Sequence, residues 1–168
     1  SDLFFDIGGG NGYVTSAIQQ MGIETVLLEP GVEGVHNARK RGIHHLVNST
    51  IKDAGFLPKT MPAIGLFDVL EHIEDDESFL KQVHNCLTDT GILFLTVPSY
   101  NTLWSVSDII DGHFRRYNRK SLQRLFHKSG LKMDDMDVIE LNEAFSAQVL
   151  VCIREWGLAD DDHRINPN

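Results

Sequence analysis

Apolar runs of strand length alternate along this chain with amphipathic stretches of helical length, and that alternation leaves few folds open. Residues 3–7 are apolar and end in glycines, which reads as a buried strand. Residues 12–21 follow as a helix with Val14, Ala17 and Ile18 on one side, and 25–28 as a second strand. A short polar helix at 35–41, a strand at 44–47 and a strand within 61–70 come next. The helix at 76–87 carries Phe79, Leu80, Val83 and Leu87 as its stripe, with Asp75 and Asp76 at its start. Residues 91–97 read as a fifth strand stopped by Pro98, and 99–117 as an irregular loop. Asn118 is placed to cap a helix that turns Leu122, Leu125 and Phe126 inward and ends at Gly130. A sixth strand is expected at 136–141. Strand-helix alternation of this kind implies an α/β fold: a doubly wound, mostly parallel sheet with helices on both faces. Ligands of such sheets sit at the carboxyl ends of the strands.

Residues 142–156 fit two patterns. Phe145, Val149, Cys152 and Trp156 have helical spacing, whereas Ala147, Val149, Val151 and Ile153 alternate like a strand. The expectation is one domain over 1–158 and a polar tail over 159–168. The chain starts at Ser1 on the threshold of a strand, so its natural N-terminus is expected upstream, and one or both ends of the fold are open to truncation.

Composition narrows the function. The 168 residues carry a formal charge of -9, which argues against a nucleic-acid partner held by the overall field. Two cysteines, Cys86 and Cys152, make no disulfide scaffold and suit a reducing, cytoplasmic setting. No apolar run reaches the length of a membrane span.

The first chemical motif is Asp6-Ile7-Gly8-Gly9-Gly10-Asn11-Gly12, between the first strand and the first helix. Glycines there let a ligand approach main-chain N–H groups, and the helix N-terminus adds donors. A Walker loop is excluded, because no Gly-Lys-Ser/Thr follows. The dinucleotide frame G-x-G-x-x-G is met at Gly10 and Gly12 but has Thr15 in its third place. A carboxylate at Asp6, ahead of the glycines, suits a cationic amine better than a pyrophosphate.

With Asp6, Gly8, Gly10 and Gly12 in the pattern acid-x-G-x-G-x-G, the sequence resembles the class I S-adenosylmethionine-dependent methyltransferases from residue 3 to about 141. The resemblance implies a Rossmann-like fold and S-adenosylmethionine as cofactor, with S-adenosylhomocysteine as product. Asp6, Gly8, Gly9, Gly10, Asn11 and Gly12 then approach the cofactor. Glu29, followed by Pro30, ends the second strand where a carboxylate can accept from two ribose hydroxyls; this reading suits NAD equally. The stretch Asp68-Val69-Leu70-Glu71-His72 matches the family's D-V-L-E-H after strand four. That match counts against NAD, and it implies that Phe67 and Asp68 border the cofactor and that His72 lies near it. The plain alternative for His72 is a histidine that bonds a turn. The adenine-bonding position falls in one of two registers, at Ser49 and Thr50 or at Asp53-Ala54, with spacing favouring the former.

Some quinone-pathway O-methyltransferases of the family have E-x-x-E-H at this place with a divalent ion. Here the motif is Asp68-x-x-Glu71-His72, whose oxygens would suit magnesium; a strand end scatters side chains, and no metal is expected.

On the substrate side, Gly112-His113-Phe114-Arg115-Arg116-Tyr117 resembles the G-H-x-R-R-Y of a broad subgroup related to the ubiquinone-biosynthesis O-methyltransferases. His113 is the general-base candidate. The other reading is that His113, Arg116 and Tyr117 tie the loop down. A small-molecule acceptor is expected, with oxygen favoured over nitrogen or carbon by subgroup resemblance. Two further readings stay open: a catalytically silent cofactor-binding regulatory domain, and an NAD-dependent oxidoreductase.

Overall fold

A computed structural model describes residues 3–99 and 101–131. The expected strand at 136–141, the two readings of 142–156 and the tail lie outside the described residues. Five strands, β1 (Leu3–Ile7), β2 (Glu24–Leu28), β3 (Leu46–Val47), β4 (Met61–Phe67) and β5 (Leu87–Thr96), form one parallel sheet in the order β3-β2-β1-β4-β5. The chain runs outward from β1 through β2 to β3, then returns to the other side of β1 at β4. The direction of winding therefore reverses between β1 and β4. At that point the connections after the two strands leave on opposite faces and a crevice opens.

Both faces of the sheet are covered. Leu28 belongs to the main core with Phe5, Ile7, Ile64 and Leu66, while its neighbour Leu27 packs with Ala38 and Ile43 in a second cluster. Adjacent strand residues point to opposite faces, so each face needs its own helical layer. Helix α2 (Val32–Lys40) supplies Ala38 to the second cluster. Helix α3 (Asp76–Cys86) buries Leu80, Val83 and Cys86 in the main core. Burial of each large apolar side chain of this kind stabilises the fold by about 1.5–3 kcal/mol. Asp75 caps α3 by accepting from the Ser78 N–H at 3.0 Å.

Helix α1 (Tyr13–Gln20) follows β1 across the glycine loop. The five-residue α4 (Val106–Ile110) and the longer α5 (Arg119–Ser129) complete the described helices. The ends of α5 are those expected from its sequence. Asn118 Oδ1 accepts from the Ser121 N–H at 2.9 Å, and Gly130 ends the helix at φ 85°. Leu125 and Phe126 are buried, and α5 packs on α3.

Beyond shifts of one or two residues at element ends, three elements differ from the sequence expectation. Helix α2 starts at Val32 rather than 35, with Gly34 inside its first turn. A side chain at Gly34 would come within 3.0 Å of the Gly10 carbonyl, so close approach to the glycine loop accounts for a helix-breaking residue there. Strand β5 starts at Leu87, directly after α3, because Leu87 pairs with Met61 ahead of a register shift. The loop 99–117 is not irregular throughout: it contains α4 and a short 3-10 turn at Asn101–Leu103. No helix of the described residues is long and apolar enough to cross a membrane.

Candidate active site

The glycine loop leaves the carboxyl end of β1 at the reversal point. Gly8 N–H donates to the Leu28 carbonyl at 2.7 Å, which ties the loop to β2. Gly12 has φ 75°, and a Cβ there would lie 3.0 Å from both Ala38 Cβ and Ile43 Cγ1. Its glycine is a packing requirement. Gly10 also has positive φ, 54°, yet a Cβ there would meet nothing within 4 Å. Open space beside a left-handed glycine at a helix N-terminus is what a ligand that touches main chain requires.

Asp6 lies beneath the glycine loop. It is 1% exposed and accepts a hydrogen bond from the Thr15 hydroxyl through Oδ2, beneath Gly9. Its Oδ1 has no partner among the described residues. Burial raises the pKa of its carboxyl above the ordinary 3.8, against the Thr15 hydrogen bonds. Asp6 thus pins the loop to α1. Thr15, the residue that departs from the dinucleotide frame, is its partner.

Glu29 stands at the tip of β2 as expected and bridges two turns. Its Oε2 accepts from the Gly10 N–H at 3.0 Å and its Oε1 from the Gly31 N–H at 2.6 Å. A carboxylate has about four acceptor positions, so both oxygens retain capacity for hydroxyl donors. Asn48 Nδ2 donates to the Glu29 and Pro30 carbonyls at 2.9 and 3.0 Å, and this holds the turn after β3 against the tip of β2. Both adenine registers fall in that turn: Thr50 Oγ1 donates to Asp53 Oδ2 at 2.6 Å, next to Ser49. Asn11 is exposed; its Oδ1 accepts from the Tyr13 N–H and its carbonyl from Arg41 Nε.

On the β4 side, Phe67 stacks on Phe4 at 6.3 Å, and Asp68 takes a left-handed backbone conformation at φ 54°. Asp68 Oδ1 accepts from the Thr96 hydroxyl at 3.1 Å. Glu71 and His72 lie on a 3-10 turn, Leu70–His72. Glu71 is 1% exposed, and its Oε2 has no partner among the described residues. Burial raises its pKa above the ordinary carboxyl value, as does the Asp68 charge. His72 is exposed; partial desolvation and the nearby His113 lower its pKa.

The loop 99–117 closes over this turn. The Phe114 N–H donates to the Glu71 carbonyl at 2.7 Å, Arg115 donates to the carbonyls of Ile73 and Glu74, and Tyr117 Oη donates to Leu70 and Asp76. Arg115 also pairs with Asp76 at 2.7 Å. The loop is organised by Asp108, which is 1% exposed. It accepts from the Ser105 N–H and hydroxyl, from Arg116 Nε at 2.7 Å and Nη2 at 3.0 Å, and it pairs with His113 Nδ1 at 2.9 Å. Arg116 beside it holds the Asp108 carboxyl far below the usual carboxylate range. Sequence reading did not single out Asp108, although Ser105-x-x-Asp108 has the spacing of a capping box.

His113 and His72 meet edge to face at 4.7 Å. With Asp68, Glu71, Pro98 and Asp111 they line a cavity of about 480 Å³. The structure therefore brings together His113, His72 and Asp68, each expected at the site. It adds Glu71 and, behind His113, Asp108. In the G-H-x-R-R-Y run, Arg116 and Tyr117 tie the loop down, and His113 is held by the same Asp108 while lining the cavity.

Known proteins resemble this chain in two separate ways. The methyltransferase-domain family matches residues 4–135. A SAM-dependent methyltransferase of Archaeoglobus fulgidus superposes with a TM-score of 0.63 at 14% identity, over 91% of this chain and 76% of that one. The Haloferax volcanii chain solved with the Trm112 methyltransferase activator gives 0.68 at 18% identity, over 88% and 69%. A SAM-dependent methyltransferase of Thermotoga maritima gives 0.63 at 19%, over 77% and 64%. At these identities the likeness speaks to fold. The second resemblance is C-terminal: the thiolase C-terminal domain family matches 114–168. The β-ketoadipyl-CoA thiolase of Acinetobacter baylyi is 58% identical over 48 residues, which are 29% of this chain and 12% of that protein. The 3-oxoadipyl-CoA/3-oxo-5,6-dehydrosuberyl-CoA thiolase of Escherichia coli K12 is 56% identical over 46 residues, 27% of this chain and again 12% of that protein.

Proposed function

We propose that this chain, which belongs to the methyltransferase-domain family and uses S-adenosylmethionine, methylates a small-molecule acceptor at oxygen in the cavity between the β4 turn and the loop 99–117. The observation that carries this reading is the Asp108–His113 pair at the cavity wall. With Nδ1 engaged by Asp108, His113 keeps Nε2 available to accept a proton from an acceptor hydroxyl.

The residues present fit the cofactor: Gly10 leaves an open cradle, and Glu29 stands at the strand tip with acceptor capacity. When bound, S-adenosylmethionine supplies a methyl group on a sulfonium that is already a good leaving group. The chain's work is to align and to exclude water. Glu29 holds the ribose hydroxyls and the glycine loop borders the methionine part. Phe67, Asp68 and His72 form the wall toward the acceptor, and the turn at Ser49 and Thr50 receives the adenine. His113 takes the acceptor's proton as the oxygen–methyl bond forms.

The test is turnover of S-adenosylmethionine to S-adenosylhomocysteine over a panel of phenols, hydroxy acids and amines, with His113→Gln beside the parent. Turnover of hydroxyl acceptors that falls 10²–10⁴-fold in the variant supports the reading. Cofactor binding with no turnover across the panel favours the silent regulatory domain. The methyltransferase-domain match ends at residue 135 and the thiolase-like match spans 114–168, so the cofactor-binding unit is proposed to end before the expected 158. The thiolase-like stretch matches 12% of the length of the Acinetobacter baylyi thiolase.

A further inference from the structure

The wall of the proposed acceptor cavity carries a donor set that differs from the sequence motif. One ligand atom each of Glu71, His72 and His113 lies within 4.8 Å of the other two. Asp68, the first residue of D-x-x-E-H, is not part of the set; its Oδ1 is engaged by the Thr96 hydroxyl. Glu71 is the independent sign of a ligand: a carboxylate 1% exposed, with Oε2 unpartnered among the described residues, is costly to bury unless something positive meets it. His113 is oriented as metal-binding histidines are, with Nδ1 on a buried carboxylate and Nε2 left over.

We propose that Glu71, His72 and His113 bind one divalent transition-metal ion, with His113 in the place the motif gives to Asp68 and Asp108 as its outer-sphere support. Two imidazoles and one carboxylate favour zinc or cobalt over magnesium, which prefers an all-oxygen shell. Donors bonded at about 2.0–2.2 Å around a tetrahedral ion stand about 3.4 Å apart, so side-chain rotation closes the observed set. Asp68 and Asp111 also line the cavity and add negative charge around the ion. This site rests on the same cavity as the methyl-transfer reading but not on its acceptor: His113 is a base in the ion-free chain and a ligand in the loaded one.

The experiment is calorimetric titration of the chelator-treated full chain with zinc, and cobalt absorption in parallel. One ion per chain is expected, with binding weakened at least tenfold in Glu71→Gln and in His113→Ala, retained in Asp68→Asn, and absent for magnesium in the same cell. A thermal melt like the parent's shows that each variant is folded, and S-adenosylhomocysteine binding retained in Glu71→Gln and His113→Ala separates this test from the cofactor reading. Zinc binding that survives His113→Ala but fails in Asp68→Asn overturns the assignment in favour of the linear motif. No zinc binding by the folded parent overturns the site altogether.

Discussion

Gly10 and Gly12 both have positive φ, two residues apart, yet they answer to different demands, and replacing each by alanine separates them. In either variant a Cβ in the left-handed region costs about 1–2 kcal/mol. At Gly12 the new methyl also stands 3.0 Å from Ala38 Cβ and Ile43 Cγ1, at positions 0% and 1% exposed. Overpacking of such a site adds about 1–3 kcal/mol. Gly12→Ala is therefore expected to lose about 2–5 kcal/mol of stability and Gly10→Ala only about 1–2. For a chain of this size each kcal/mol moves Tm by about 2–4 °C. Binding should sort the other way. The Gly10 methyl points into open space, on the side proposed for the cofactor. A clash worth about 1–3 kcal/mol there weakens S-adenosylhomocysteine by roughly 5–150-fold. Thermal melts and calorimetric titration on the two variants read both quantities. Gly10→Ala that binds S-adenosylhomocysteine like the parent would refute the cradle. Gly10→Ala that melts as low as Gly12→Ala would refute the argument from space.

Further outcomes follow from single contacts. Glu29→Gln keeps one acceptor but turns an amide NH₂ toward one of the Gly10 and Gly31 N–H groups; loss of a charge-assisted bond worth about 1.5–3 kcal/mol should weaken S-adenosylhomocysteine by roughly 10–150-fold in calorimetry. Asp6 has a folded pKa raised by burial, so its protonated form favours the fold: that stability is complete below the unfolded value of 3.8 and is lost as pH rises through the folded pKa. Asp6→Asn should accordingly melt above the parent at neutral pH, with the gap closing below pH 3.8; a gap independent of pH contradicts the burial account. Thr15→Val leaves the buried Asp6 carboxylate without its hydroxyl donor and should cost about 1–3 kcal/mol in denaturant unfolding. A chain stopped after Leu131 should keep S-adenosylhomocysteine binding within a few-fold of the full chain; loss of binding in a folded truncation places part of the cofactor site in the thiolase-like segment.

Much of the fold could be read from local signals. Asn118 and Gly130 frame α5 because capping chemistry depends on the residue type alone. The glycine loop and the acid at the tip of β2 announce a ligand at the carboxyl edge of the sheet for the same reason. What could not be read depends on distant contacts. The place of Asp6 beneath Gly9 is set by Thr15, nine residues on in the first turn of α1. Gly34 inside α2 makes sense only against the Gly10 carbonyl. The pairing of Glu71 and His72 with His113 needs a loop that returns some forty residues later, held by a carboxylate that looked like one of several loop acids. The C-terminal pattern was ambiguous between helix and strand for residues whose kinship is with thiolases.

The most direct test of the central claim is calorimetric titration of the full chain with S-adenosylhomocysteine, with NADH in a parallel cell and Glu29→Ala as the control. One micromolar site for S-adenosylhomocysteine, weakened in Glu29→Ala and absent for NADH, is the predicted result. A demonstrably folded chain that takes up no S-adenosylhomocysteine would contradict a cofactor site built on the glycine loop and Glu29.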